Sequence, residues 1–204
     1  MENYAIYQKY KEAKEFGYNL REIFERDPHD ILDFCQRKQY PLLCYHEGYK
    51  MSDLLGYLDM CTINYAFTVN VACEEDANDD YYIFYHDNLT VPRVKFAICH
   101  ELGHILHGDV WRRSASLCNR DPQRGDRLME NAANICAAYA LDTQRCLDDN
   151  CPPQYLCDIC GIGKSSAQYL LKLIQRLNDA QKQRYFERPI PLFQNLQSAL
   201  ERQD

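Results

Sequence analysis

Residues 92–108 read PRVKFAICHELGHILHG. A proline suits the first helical turn, where no intrahelical N–H is needed. Phe96, Ile98, Leu102, Ile105 and Leu106 supply an apolar surface, and Gly108 is a natural C-terminal stop. The spacing therefore predicts a helix from Pro92 to about His107. Within it stands His100-Glu101-Leu102-Gly103-His104. Helical residues four apart lie on one face, one turn above the other. Two imidazoles so placed can hold one zinc ion, and Glu101, rotated away from both, can still reach a water at that ion. The metal acidifies the water and a carboxylate takes its proton, ahead of attack on a peptide carbonyl. Glu101 is thus the candidate general base. Gly103 suits a backbone packed closely against a neighbour.

A catalytic zinc needs a third protein ligand and an open fourth position. Glu130 is the candidate. It heads the run Glu130-Asn131-Ala132-Ala133-Asn134-Ile135-Cys136-Ala137-Ala138. Glu130, Ala133, Asn134, Ala137 and Leu141 share a helical face, and the small side chains allow close approach to the His100 helix. Asn134 is placed to orient a ligating imidazole from behind. This second helix is expected from about Arg127 to Leu141. The polar stretch 109–126, with Asp121-Pro122 and Arg124-Gly125, reads as a loop; its Trp111, Arg112 and Arg113 make it a candidate lid by position.

Together the two segments resemble the ImmA/IrrE family of metallopeptidases. The matching residues are His100, Glu101, Gly103, His104 and His107, then Glu130, Ala133, Asn134, Ala137 and Ala138. The run YYIFYHDNLTVPRVKFAICHELGHILHGD, residues 81–109, is similar to the family's strand, connector and active helix. The resemblance covers residues 81–141 and fades from 80 back to 40. It implies a zincin-like α+β domain with a small antiparallel or mixed sheet. One Zn2+ would be held by His100, His104 and Glu130, with Glu101 as base. Members of the family cleave helix-turn-helix transcriptional repressors of mobile elements or stress regulons, and others sit beside toxin–antitoxin pairs. Two departures concern packing. Leu141-Asp142-Thr143-Gln144 stands where an apolar pair and a proline are common, and Cys136 replaces a common phenylalanine. His107, one turn past His104, is expected on a polar surface or in support of the metal. Tyr139, Tyr85 and His107 are three unseparated candidates to stabilise an oxyanion.

Composition narrows the remaining classes. The chain has 204 residues, 46% of them hydrophobic, so a packed core is expected. The net charge of -7 argues against general nucleic-acid or membrane-surface binding. The N-terminus has no apolar leader segment and no stretch reaches membrane-spanning length, so a cytosolic protein is expected. Eleven cysteines in such a chain read as reduced thiols.

Residues 4–16 carry helical periodicity. Asp27-Pro28 opens a helix to about Arg37. Leu42–Tyr45, Thr62–Val71 and Tyr81–Tyr85 read as strands, with the acidic run 74–80 as a solvated connection. Pro152-Pro153 divides a peptidase domain, 1–150, from a helical module, 151–204. That module has two short helical patterns around Gly161, like a helix-turn-helix, and a docked final helix with Leu192, Phe193, Leu196 and Leu200. Leu156, Cys157, Cys160, Ile162, Ala167 and Leu170 are its expected core, which competes with a second zinc site at Cys146, Cys151, Cys157 and Cys160. From Gly161 to Arg188 six Lys or Arg face two acidic residues, and Ser165, Ser166, Gln168 and Lys172 could read a DNA groove. Three functions follow: a zinc endopeptidase acting on a repressor, a non-catalytic protein binding a toxin or repressor, and a DNA-binding regulator.

Overall fold

The computed structural model describes residues 2–26, 31, 35, 42–45, 66–70, 81–86, 88–110, 124–149 and 151–182. In chain order these form helix α1 (Glu2–Arg26), strands β1 (Leu42–Tyr45), β2 (Ala66–Asn70) and β3 (Tyr81–His86), helices α2 (Val91–His107) and α3 (Arg124–Leu141), a 3-10 turn (Cys146–Asp148), and helices α4 (Pro153–Cys160) and α5 (Lys164–Lys182). The class is α+β, mostly helical with one small sheet.

The sheet is mixed. β3 lies between β1, its parallel neighbour, and β2, its antiparallel one. Strand side chains alternate between faces, so the register sorts them. Thr68 pairs with Ile83, and Phe67 with Phe84. The Phe67 and Phe84 rings stack 4.7 Å apart on one face. On the other, Thr68 bonds to Glu101 of α2 and Ile83 joins the helical core. The sheet thus presents Thr68 directly to the helix that carries His100 and His104.

α2 ends as its sequence requires. Gly108 adopts a left-handed φ of 69°, and the Gly108 and Asp109 amides return to the Ile105 and His104 carbonyls. α3 begins earlier than expected: Arg124 and Gly125, assigned to a loop from their polarity, lie in its first turn. Its small residues let it run between two glycines. A Cβ on Gly17 of α1 would stand 2.6 Å from both the Cys136 carbonyl oxygen and the Tyr139 Cβ. One on Gly103 of α2 would stand 3.2 Å from the Ala133 Cα. Ala132, Ala133, Ala137 and Ala138 are fully buried here.

α1 runs well past residue 16, burying Ala13, Phe16 and Leu20. The joint between α4 and α5 turns at Gly161, φ 61°, where a Cβ would meet the Arg93 backbone nitrogen at 2.7 Å. Leu156, Cys160, Ile162, Ala167 and Leu170 are buried as expected, while Cys157 is half-buried. α5 is nineteen residues long rather than short. One hydrophobic cluster contains residues of α1, β3 and all four later helices. Ile31 and Cys35 are helical and buried, in line with the helix expected after Pro28. The rest of that helix, the acidic run 74–80, the candidate lid residues 111–113 and the final helix after Pro191 lie outside the described residues. Among the described residues no helix is long and apolar enough to cross a membrane.

Candidate metal centre

α2 contributes two imidazoles one turn apart, and α3 brings a carboxylate to them. His100 Nε2 lies 3.4 Å from Glu130 Oε2, and His104 Nε2 lies 3.4 Å from Glu130 Oε1. The two Nε2 atoms are 3.1 Å apart. His100, His104 and Glu130 are the group of potential metal donors, all within 4.8 Å of one another, found among the described residues.

The other nitrogen of each ring explains this convergence. His100 Nδ1 is 3.1 Å from Asn134 Oδ1, one turn beyond Glu130 on α3. His104 Nδ1 is 3.3 Å from Asp109 Oδ2. An oxygen acceptor at Nδ1 holds the ring proton there and leaves the Nε2 lone pair as a donor. Both Nε2 lone pairs and the Glu130 carboxylate then point at one place, which only a cation stabilises. The donor set of two neutral imidazoles and one carboxylate is that of a catalytic zinc site, so the residues fit the metal.

Electrostatics agree. Burial opposes charging of His104, but hydrogen bonds to Asp109 and Glu130 and the charges of Glu101 and Glu130 outweigh it, pushing its pKa up to about 10. Burial alone would raise Glu130, yet the two imidazoles hold it well below the ordinary carboxylate range. The surroundings favour positive charge at this point.

Glu101 is buried at 3% exposure, and the Thr68 hydroxyl donates to its Oε2 at 2.8 Å. Thr68 is itself fully buried on β2, so the rotamer of the candidate base is fixed by the sheet. Asp109, 4% exposed at its side chain, also accepts from Lys9 Nζ of α1 at 3.0 Å. Burial raises its pKa, while the bonds from His104 and Lys9 lower it further than burial lifts it.

Two of the sequence candidates stand elsewhere. Tyr139 turns its hydroxyl to other partners. Nine residues beyond Glu130, it lies half a turn around α3. Its hydroxyl bonds Asn178 Oδ1 at 3.2 Å and Asp148 Oδ1 at 3.3 Å, beneath the Lys14 ammonium. His107 shares the face of His100 and His104 but packs edge-on against Phe16 of α1, ring centroids 4.9 Å apart, with its Nε2 buried and unbonded. Burial, with Lys9 nearby, lowers its pKa to about 3. Tyr85 sits on β3 opposite Ala66. Among the described residues the cysteine cluster forms no comparable donor group. Cys146, Cys151, Cys157 and Cys160 are all free thiols, and Cys160 is wholly buried.

Residues 68–148 match the family model of the IrrE N-terminal-like domain, of the M78 peptidases. This segment is similar to an IrrE N-terminal-like domain. Comparison with curated proteins and with solved structures gave no significant match. The IrrE-like segment opens at Thr68 and takes in Glu101, His100, His104, Asp109, Glu130 and Asn134. It leaves out α1 and therefore Lys9.

Thr68, Asp109 and Lys9 belong to no motif in the sequence. Asp109 had a readable signal, for it follows the glycine that turns the chain back over His104. Thr68 and Lys9 are distant in sequence and carry none.

Proposed function

We propose that this chain is a zinc-dependent endopeptidase, a reading supported above all by the convergence of His100 Nε2, His104 Nε2 and the Glu130 carboxylate. When bound there, zinc supplies Lewis acidity toward a water and a peptide carbonyl. Glu101, held by Thr68, takes a proton from the attacking water and returns it to the leaving amine. Asn134 and Asp109 keep the ligating rings in one tautomer. We take the substrate to be a cytoplasmic protein, a helix-turn-helix repressor of a mobile element or stress response, with residues 151–204 as a helical, helix-turn-helix-like module on a zincin-like domain of residues 1–150.

The test compares new protein N-termini in cells carrying the wild type and Glu101→Gln. Fragments of a helix-turn-helix repressor that depend on Glu101 support the reading. Identical termini with zinc-loaded protein in both strains contradict it.

A second reading, a DNA-binding regulator, rests on α5, whose Lys164, Ser165, Ser166, Gln168, Lys172 and Arg176 are exposed. Salt-dependent binding of duplex DNA by the full chain would favour it.

A further inference from the structure

We propose that Asp109 and Lys9 are positioning residues of the metal centre, through which helix α1 sets the orientation of the His104 ring. This rests on the zinc reading above and extends it to a part of the chain outside the IrrE-like segment.

The Asp109 carboxylate uses its two oxygens for two different elements. Oδ2 faces His104 Nδ1 at 3.3 Å, and Oδ1 faces Lys9 Nζ at 3.0 Å. Its backbone amide also bonds the His104 carbonyl at 2.9 Å. Main chain and side chain of Asp109 therefore return to the same residue, across a turn that Gly108 makes possible. The imidazole has two ring orientations. An anionic acceptor at Nδ1 selects the one that sends Nε2 toward Glu130.

Lys9 has a separate task. The Asp109 side chain is only 4% exposed. A carboxylate in such a place is costly without a cation. Lys9 supplies that cation while its own side chain is still 21% exposed. α1 braces the ligand helices at two further points. Phe16 packs on His107 of α2, and the Tyr10 hydroxyl accepts from Asn131, next to Glu130 on α3.

The experiment measures zinc affinity of the full-length protein by competition with a chromophoric chelator, for wild type, Asp109→Ala, Lys9→Met and Lys9→Arg. Metal-free thermal melts accompany it. Asp109→Ala should weaken zinc binding about 10- to 100-fold. Lys9→Met should weaken it several-fold, and Lys9→Arg should restore it. The visible spectrum of the cobalt-substituted protein should shift in Lys9→Met and revert in Lys9→Arg, which a merely structural ion pair would not produce. If Asp109→Ala fails to fold, the Lys9 pair decides. Wild type holding one zinc with unchanged affinity and cobalt spectrum in Lys9→Met would overturn the proposal alone. Wild type holding no zinc would overturn both it and the peptidase reading.

Discussion

His100 and His104 turn their Nε2 atoms to within 3.1 Å of each other, and each ring has an oxygen acceptor at its opposite nitrogen. Two lone pairs face to face repel unless a proton or a metal ion stands between them. The bonds to Asn134 and Asp109 therefore do more than brace the rings. They shape the protein for a cation.

The chemistry is expected to divide between ligands and base. Glu101→Gln should keep its zinc and lose about 10²- to 10⁴-fold in peptide-bond cleavage, the usual contribution of a general base. Thr68→Val preserves shape and removes only the hydroxyl that donates to Glu101. It should bind zinc normally and lose about ten- to a hundredfold in kcat, the upper figure being what a 1 Å misplacement of a catalytic group costs. Steady-state kinetics beside metal analysis checks both.

Stability of the metal-free protein should depend on pH through the same site. His104 is raised from 6.5 to about 10 on folding, so its stabilisation is complete below pH 6.5 and disappears as pH climbs through 10. Glu130 is depressed from 4.5, so its share is present above pH 4.5 and is lost as pH falls. The melting temperature of metal-free protein should therefore fall between pH 6.5 and 10. Zinc-loaded protein should not show that fall, because the metal takes the proton's place.

His107 adds an acid-side loss of its own. Buried against Phe16 with Nε2 unbonded, it is neutral in the fold down to about pH 3 but protonates near 6.5 when unfolded. Its stabilisation is lost as pH falls below 6.5. His107→Leu removes a buried unpaired nitrogen, whose cost is about 1–3 kcal/mol. The variant should melt higher than wild type at pH 5 and bind the same amount of zinc, as calorimetry and metal analysis would show.

The metal helix was legible because chemistry and periodicity coincide in it: proline, apolar spacing, paired histidines and glycine stop all agree with α2. The three strands were also readable, with Leu42–Tyr45 matched at both ends. The supporting contacts were not. Thr68 meets Glu101 only because the sheet register turns it toward α2, and Lys9 meets Asp109 across a hundred residues. Tyr139 shows the opposite case. Its position half a turn from Glu130 was available from helical phase, and that phase sends it to Asn178 and Asp148 on the far side of α3. Arg124 and Gly125 mislead because polarity and a glycine resemble a loop, whereas the buried alanine face further along α3 extends the helix back through them.

The close passage of α1 over α3 gives a stability test remote from the metal. Gly17→Ala would force a methyl to 2.6 Å from the backbone oxygen of Cys136. Overpacking of this kind costs about 1–3 kcal/mol, so chemical denaturation should show a loss of that size.

The most direct measurement is zinc content by mass spectrometry of wild type and Glu130→Ala after identical mild dialysis. One zinc per wild-type chain and little in Glu130→Ala is the expected result, since removing the carboxylate leaves two imidazoles alone to hold the ion. Equal zinc in both proteins, or none in wild type after zinc is added back, would contradict the three-ligand centre on which this account depends.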